Sequence, residues 1–372
     1  MTKIQSIYVG TYSLPIRFGT GEILEGKGKG IYLYEFDTES AVLSLVNVTE
    51  SVDNPSFLEI NKDITRMYAV NELKTYDGKQ SGSVSAFQIN SDGSLKLMNR
   101  LATEGQDPCH AKLSPDEGRL IVSNFMSGSV SVYSITKDGA LGDMEQFIQY
   151  EGSSVNAIRQ TSPHAHSATF SKDGKFVYIF DLGTDCVWSY RYGDAECPLS
   201  DDGMTHFVTS PGAGPRHAEF GTDGRYCYVI NELESTLSVL ALNTKDGSFE
   251  EIQKISTMPD DTNSKNNLCA DLHIAPSGRF LYGSNRGADN IAIFRIDENN
   301  GKLTLIGIEP CGGRTPRNFA FDLTGRFLLC ANQDSDCIVV FAVDDETGGL
   351  RKVSETYAPT PVCVCPVPKN RS

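Results

Sequence analysis

Short runs of alternating apolar and polar residues, separated by turns rich in Gly and Asp, recur along this chain. One unit begins at Pro215: PRHAEF alternates, GTDG turns, RYCYVINEL is rich in β-forming residues, STLSVLAL follows, and NTKDG leads into SFEEIQKI. Period-two alternation with Gly and Asp between the runs is typical of antiparallel strands joined by tight turns. Each unit therefore predicts four short strands.

The first strand of this unit occurs in several similar copies along the chain. The copies begin at Pro55, Pro108, Pro163, Pro215, Ala270 and Pro316, with a weaker seventh at Pro361. Repeats of about fifty residues with four strands each are typical of propeller blades. We predict an all-β fold, a seven-bladed β-propeller with four antiparallel strands per blade, formed as a single domain by residues 1–372. An open solenoid or a large sandwich is the alternative.

The two ends of the chain complement each other within this pattern. IYVGTY near the N-terminus resembles a second strand and GIYLYEF a third, whereas TPVCVC near the C-terminus resembles a first strand with nothing after it. We therefore predict that N-terminal and C-terminal strands close the last blade together, which protects its edges.

Composition narrows the classes of partner. The net charge of −15 makes nonspecific binding to nucleic acid unfavourable, because phosphates are repelled. MTKIQSIYVG does not resemble a signal peptide, and there is no apolar run of about 18 residues that would predict a membrane helix. The ten cysteines lie in strand-like runs without a CxxC motif. They predict reduced, buried residues of a cytoplasmic protein.

Strand order places the long connections on one edge, which we call the upper rim. First strands start there and second strands end there, while the short turns such as SKDG and GTDG lie on the opposite edge. The long connections on the upper rim are Ile16–Gly30, Leu73–Gly82, Glu151–Ser162 and Thr257–Leu268. Long polar loops gathered on one rim indicate the functional face.

Two sets of polar residues face this rim. The starts of the first strands give His110, His164, His166, Arg216, His217, Asp271, His273, Arg317 and Asn318. The ends of the second strands give Asn71–Glu72, Asn124, Asp181, Asn231–Glu232, Asn285–Arg286 and Asn332–Gln333. The recurring Asn and Asp have a structural interpretation, since such side chains bond nearby backbone at turns. That interpretation does not cover Glu72, Glu232 or Arg286.

The residue types in these sets favour an anionic small molecule as the ligand. Three arginines from different blades, Arg216, Arg286 and Arg317, suit a phosphate or carboxylate. His164, His166 and Glu232 suit acid/base chemistry near neutral pH. A metal bound by the pair His164 and His166 together with Asp181 is possible, but the spacing is not that of a convincing third ligand, so we predict no metal and no cofactor. Neither a glycine-rich phosphate loop nor a Gly-x-Ser-x-Gly motif is present.

Several motifs resemble one enzyme family. GPRHAEF, VINEL, GRFLYGSNRG and TPRNFAFDLTGRFLLCANQDSD, together with PHAHS, resemble the seven-bladed lactonase family, which includes propeller-type 6-phosphogluconolactonases and carboxy-cis,cis-muconate cyclases. The resemblance implies that His164 or His166, Arg216, Glu232 and Arg286 are active groups. We predict His164, His166, Glu232 and Arg216 as catalytic residues. The predicted substrate-binding residues are Arg286, Arg317, His110, His273, Glu72 and Asp181.

The resemblance implies hydrolysis of 6-phospho-D-glucono-1,5-lactone in the pentose phosphate pathway. Glu232 or a histidine would then take a proton from the attacking water, and Glu232→Gln would lower kcat with little loss of stability. A muconate cyclase needs the same arginines and a proton donor, so it stays an alternative. A non-catalytic interaction propeller is a second alternative, although the chain has one Trp and no recurrent Gly-His…Trp-Asp pattern. We expect a monomer or weak homo-oligomer with a small anionic substrate.

Overall fold

The computed structural model describes residues 3–193, 196–259 and 266–369, and these form seven antiparallel sheets. Strands are given from the innermost outwards. Blade 1 comprises Pro55–Ile60, Arg66–Asn71, Ser83–Ile89 and Leu95–Ala102; blade 2 comprises Pro108–Leu113, Arg119–Asn124, Ser129–Ile135 and Leu141–Gln149; blade 3 comprises Ala165–Phe170, Phe176–Asp181, Cys186–Tyr192 and two short outer pieces, Leu199–Ser200 and Phe207–Val208; blade 4 comprises Pro215–Phe220, Tyr226–Asn231, Thr236–Leu242 and Phe249–Ser256.

The remaining blades follow the same order. Blade 5 comprises Leu268–Ile274, Phe280–Arg286, Asn290–Ile296 and Leu303–Pro310; blade 6 comprises Pro316–Phe321, Phe327–Asn332, Cys337–Val343 and Leu350–Tyr357; blade 7 comprises Pro361–Pro368, Ile4–Thr11, Gly30–Asp37 and Val42–Glu50. Ile16–Arg17 and Ile23–Leu24 form a small hairpin above the blades, and Gln333–Ser335 form a 3₁₀ turn. No helix among the described residues is long and apolar enough to cross a membrane.

The predicted seven-bladed fold and the closure of its last blade are confirmed. Ile4–Thr11 pairs with Pro361–Pro368 on one side and with Gly30–Asp37 on the other, so strands from both ends of the chain complete blade 7. The innermost strands of neighbouring blades contact each other all the way round and enclose a central channel.

Two of the predicted strand starts were wrong. In blade 3 the strand begins at Ala165, which lies opposite Asp181. Pro215 has the equivalent position in blade 4, where it lies opposite Asn231. Pro163 and His164 therefore precede the strand. In blade 5 the strand begins at Leu268 instead of Ala270. Of the predicted upper connection Thr257–Leu268, residues 260–265 lie outside the described residues.

Each innermost strand carries a register shift close to its upper end. In blade 4, Pro215 pairs with Asn231 and His217 pairs with Ile230, which leaves Arg216 as an extra residue. A bulge of this kind turns the side chain of the extra residue away from the regular alternation. The extra residues of the blades form the upper tier of the channel: Ser56, Cys109, His166, Arg216, Ala270, Arg317 and Val362.

Regular alternation resumes below the bulges and produces two further rings. The middle tier consists of Phe57, His110, Ser167, His217, Asp271, Asn318 and Cys363. The lower tier consists of Glu59, Lys112, Thr169, Glu219, His273, Ala320 and Cys365.

The hydrophobic core lies between neighbouring blades. Between blades 3 and 4, for example, Phe176, Tyr178 and Phe180 pack against Phe220 and Val229. Eight of the ten cysteines are buried, which agrees with their interpretation as small core residues.

Candidate active site

A cavity of about 220 Å³ opens at the upper rim of the channel. Its walls come from three sources that the chain brings together: the upper tier, the residues that follow the second strands, and the rim loops. Among the lining residues are Cys109, His166, Arg216 and Arg317 from the upper tier, Glu72, Phe125, Glu232 and Arg286 from the second strands, and Arg17, Phe18 and Arg159 from the loops. The rim predicted from strand order is the one that carries this cavity.

Glu232 is the centre of the charged groups in this cavity. One carboxylate oxygen, Oε1, lies 2.7 Å from Nη2 of Arg159. The other, Oε2, lies 2.9 Å from Nε of Arg216 and 2.7 Å from Nη2 of Arg286. The Glu232 side chain is only 4% exposed. Three guanidinium groups therefore surround one buried carboxylate, and the cluster carries an excess of positive charge.

These ion pairs decide the protonation of Glu232. Burial alone would raise the pKa of its carboxyl, but Arg286, Arg159 and Arg216 outweigh burial and hold that pKa well below its usual range. Burial lowers the pKa of Arg286 to about 10, so its guanidinium stays charged at neutral pH. Glu232 is thus an anion whose oxygens are occupied by arginines.

Arg317 differs from the other arginines of the cavity. Its guanidinium lies 5.3 Å from the ring centroid of Tyr12 and 5.3 Å from that of Phe18. Among the described residues it has no hydrogen-bond or ion-pair partner. The two rings hold the cation by cation–π contact and leave its donors available to a ligand in the cavity.

His166 is a neutral imidazole on the cavity wall. Burial, with Arg216 and His217 nearby, lowers its pKa well below its usual value. Its Nδ1 lies 3.8 Å from Sγ of Cys109. No described residue hydrogen-bonds Nε2. Burial also raises the pKa of the Cys109 thiol, so this cysteine is not a thiolate nucleophile.

His164 does not line the cavity. Its ring stacks on Phe125 with centroids 4.6 Å apart, and its Nδ1 lies 2.9 Å from the carbonyl oxygen of the same residue. Phe125 in turn lines the cavity and contacts the His166 ring edge-on at 5.5 Å. His164 therefore supports the wall formed by Phe125.

The cavity also has an acidic side. Tyr12 donates a hydrogen bond of 2.9 Å to Glu72, and Asp107 lies 3.1 Å from Nζ of Lys74. Glu72 and Asp107 both line the cavity. Burial and the neighbouring Glu72 raise the pKa of Asp107 to about 6, against the opposing effect of Lys74.

Three of the predicted substrate-binding residues lie away from the cavity. His110 belongs to the middle tier, where its ring packs against Phe57 at 4.3 Å, and His273 belongs to the lower tier. Asp181 is buried and accepts hydrogen bonds from the backbone of His164 and Gly183 and from Thr184 and Trp188. Asp181 therefore has the structural role that the recurring Asn and Asp were expected to have.

Several cavity residues escaped the sequence analysis. Arg159, Phe125, Cys109, Tyr12, Phe18 and Asp107 were not singled out. A usable signal existed for Arg159, because it is the sole arginine in the predicted upper connection Glu151–Ser162. In the part of the chain that the structure describes, no group of three or more His, Cys, Asp or Glu side chains could hold a metal ion.

The fold and the site together are a seven-bladed propeller with a cation-rich cavity and a neutral imidazole at one rim. Residues 6–366 match the family described as "Lactonase, 7-bladed beta-propeller". The chain belongs to this family and is an enzyme of the lactonase class, as its motifs predicted.

Individual relatives agree with this assignment. The chain is 36% identical over 302 residues to a 6-phosphogluconolactonase from Formosa agariphila, covering 79% of this chain and 83% of the relative. It is 34% identical over 318 residues to a 6-phosphogluconolactonase from Bacillus subtilis, covering 85% of each. The solved structure of a periplasmic gluconolactonase from Pseudomonas aeruginosa is 31% identical, with a TM-score of 0.88 over 98% of this chain and 99% of that one.

Proposed function

We propose that this lactonase hydrolyses 6-phospho-D-glucono-1,5-lactone to 6-phosphogluconate. The observation that carries the proposal is the excess of guanidinium groups in the cavity, above all Arg317, which has no anionic partner among the described residues. In a chain with a net charge of −15, such a cavity favours an anionic ligand. Two relatives named 6-phosphogluconolactonase support the same substrate.

The arginines have two tasks in this proposal. Arg317, held flat by Tyr12 and Phe18, binds the phosphate. Arg216 and Arg286, fixed on Glu232, polarise the lactone carbonyl and stabilise the oxyanion that forms when water attacks. Because the donors are fixed before the substrate binds, little reorganisation is needed in the transition state.

His166 moves the proton in this scheme. The water oxygen bonds to the carbonyl carbon while a water proton passes to neutral His166. The ring C–O bond then breaks and the imidazolium returns the proton to the leaving ring oxygen. Glu232 is the poorer proton acceptor, because arginines occupy both of its carboxylate oxygens, whereas Nε2 of His166 has no partner among the described residues. We therefore assign it to positioning Arg159, Arg216 and Arg286.

The wider biological setting follows from this reaction. The product would enter the pentose phosphate pathway, no cofactor takes part, and we expect a monomer or weak homo-oligomer. The eight buried cysteines, which are reduced, favour a reducing, cytoplasmic location.

A substrate panel with purified protein tests the proposal. The panel contains 6-phosphogluconolactone, D-glucono-1,5-lactone and a carboxy-muconate, and we expect the phosphorylated lactone to have the highest kcat/KM. Turnover of the muconate alone would replace the proposal with a cyclase. Turnover of the unphosphorylated lactone alone, or of none of the three, would overturn the proposed substrate.

Matched variants test the roles of the two key side chains. Arg317→Gln should raise KM for the phosphorylated lactone about tenfold to a hundredfold, since it removes charge-assisted hydrogen bonds, and should matter less for the unphosphorylated lactone. Arg279→Gln is the control, because Arg279 pairs with exposed Asp345 on the opposite rim.

His166→Gln should lower kcat about 10²–10⁴-fold. Unchanged kcat in His166→Gln would remove this residue from the mechanism.

A further inference from the structure

A second, smaller cavity lies directly beneath the active-site cavity, and we call it the floor cavity. Its volume is about 20 Å³, enough for one water molecule. Five residues line both cavities: Glu72, Cys109, His166, Arg216 and Arg317. A water molecule in the floor cavity would therefore lie against the same side chains that surround the substrate.

The floor cavity is lined by polar groups that suit a bound water. Ser56 belongs to the upper tier and is only 6% exposed, yet its hydroxyl has no hydrogen-bond partner in the part of the chain described. A buried hydroxyl without a partner is costly, and a water molecule beside it would remove that cost. The imidazoles of His166 and His217 also face this cavity, so the two to four partners that an internal water needs are present.

His217 is held in one orientation by Asp271. Nδ1 of His217 lies 2.9 Å from Oδ1 of Asp271, and burial, with Arg216 nearby, lowers the pKa of His217 to about 4 despite that carboxylate. The neutral imidazole therefore donates from Nδ1 to Asp271, which leaves one lone pair on Nε2 as the acceptor. Nη1 of Arg216 donates to this nitrogen across 3.4 Å, which is long for a hydrogen bond, so a water bound closer to it in the floor cavity can take its place. Asp271 is fixed in turn by Asn318 at 2.6 Å and by His273 at 3.2 Å.

We propose that the floor cavity binds the water that attacks the lactone, and that His217, oriented by Asp271, is the positioning residue that holds this water by accepting one of its protons in a hydrogen bond. The inference rests on the proposed lactone hydrolysis and adds to it the source of the nucleophile. The water oxygen attacks the carbonyl carbon, its other proton passes to His166 and then to the ring oxygen, and His217 remains neutral throughout. The carboxylic acid so formed loses its proton to solvent.

A crystal structure of the wild-type protein at high resolution tests the water site directly. We expect a fully occupied water within hydrogen-bond distance of Ser56 Oγ and His217 Nε2. An empty floor cavity would overturn the proposal even if the enzyme is an active lactonase. Absence of lactonase activity in the wild type would instead overturn the proposed function and this inference together.

Kinetics of three variants test the role of the pair His217 and Asp271. Asp271→Asn lets the amide donate to Nδ1, which places a proton on Nε2 and removes the acceptor. We expect kcat to fall about 10²-fold, as for a misplaced reactant, with little change in KM. His217→Gln keeps an acceptor and should retain more kcat than His217→Phe.

The control for these variants is Glu59→Gln. Glu59 lies in the lower tier and pairs with Lys112 at 3.0 Å instead of with a histidine, so the same change from carboxylate to amide is made further down the channel and outside the His217–Asp271–His273 contacts. We expect its kcat to stay within about threefold of wild type. Equal losses in Asp271→Asn and Glu59→Gln, or wild-type kcat in His217→Phe, would contradict a positioning role for His217.

Discussion

At the scale of single residues, Glu232 is the side chain on which the site depends. It provides the one carboxylate to which Arg159, Arg216 and Arg286 are all paired, and its side chain is 4% exposed. Removing one partner of a buried ion pair leaves uncompensated charge and costs about 3–5 kcal/mol. The sequence alone suggested that Glu232→Gln would spare stability, and the three ion pairs reverse that expectation.

We predict that Glu232→Gln lowers the free energy of unfolding by about 3–5 kcal/mol and reduces kcat/KM about 10²-fold or more, because the arginines lose their fixed positions. Denaturant unfolding and steady-state kinetics measure the two effects. Glu234→Gln is the matched control, since Glu234 pairs with Lys254 while a third of its side chain is exposed, and should cost under about 1 kcal/mol. Equal stability of the two variants would argue against the arginine cluster as described.

Asp107 provides a test that depends on pH. Burial and Glu72 raise the pKa of Asp107 from 3.8 to about 6, so the folded state holds this proton more tightly than the unfolded state. Its contribution to stability is therefore present below about pH 4 and is lost as pH rises to about 6. At about 1.4 kcal/mol per pKa unit the loss is about 3 kcal/mol.

Asp107→Asn removes this titration. The free energy of unfolding of the variant relative to wild type should increase by about 2.4 kcal/mol between pH 4 and pH 7, as measured by denaturant unfolding at both values; this is less than the full value of about 3 kcal/mol because the unfolded carboxyl is already more than half ionised at pH 4. The other titrating groups cancel in the comparison of the two proteins. A difference that stays constant with pH would mean that Asp107 titrates alike in the folded and unfolded states.

The sequence predicted part of the site at the scale of residues. Arg216, Glu232, Arg286 and Arg317 do line one cavity, as their strand positions indicated. His164 was aligned with Arg216 because each follows a proline, but the structural equivalent of Arg216 is His166. Alternation of apolar and polar residues cannot reveal this offset, because a shift of two residues leaves a pattern of period two unchanged.

At the scale of elements, the bulges of the inner strands determine which side chains line the cavity. In a regular strand, successive side chains point to opposite faces of the sheet. A shift of one residue would therefore turn the side chains of the upper tier to the other face of their sheet. The repeats and turns predicted the strands well because they are local patterns. The residues of the rim loops, such as Arg159 and Phe18, could not be placed because their positions depend on contacts with distant blades.

A second repeated element joins neighbouring blades. The hydroxyl of a tyrosine in one blade donates to a turn glycine of the next: Tyr8 to Gly93, Tyr68 to Gly139, Tyr178 to Gly247, Tyr228 to Gly301 and Tyr282 to Gly348. Each of these glycines has positive φ, for example 78° at Gly247. The turn can approach the neighbouring blade closely because glycine has no side chain.

We predict that Gly247→Ala is strongly destabilising, because an added Cβ would lie 2.5 Å from the ring of Phe176 and φ is positive. Gly203→Ala is the control, since Gly203 has φ of 69° but no atom within 4 Å of its Cβ position. Thermal unfolding should show a loss of about 1–2 kcal/mol for the control and at least 1 kcal/mol more for Gly247→Ala. Equal losses in the two variants would show that the positive φ alone, and not the contact with Phe176, accounts for the loss of stability.

Tyr178→Phe removes the hydrogen bond to Gly247 and should lower the free energy of unfolding by about 1 kcal/mol, as measured in the same way.

At the scale of the whole molecule, the two terminal strands meet on the rim opposite the candidate active site. Gln5 pairs with Pro368, so the last described pair of these strands lies at the lower end of blade 7, between its first and second strands. The turn Ser171–Lys175 joins the first and second strands of blade 3 at the equivalent place. We therefore expect the ring to close equally well when the chain is opened in blade 3.

We predict that a circular permutant folds and remains active when Lys369 is joined to Lys3 by a short flexible linker and the chain is opened between Asp173 and Gly174. The new ends reproduce in blade 3 the closure that blade 7 has naturally, and the upper rim is untouched, so kcat/KM should stay within about tenfold of wild type. A second permutant, opened between Ile158 and Arg159, releases Arg159 from Glu232 and should fold but lose activity. Thermal unfolding and kinetics on both proteins make the comparison. If the first permutant fails to fold while the second folds, the ring cannot be opened between the first and second strands of blade 3, and the prediction is contradicted.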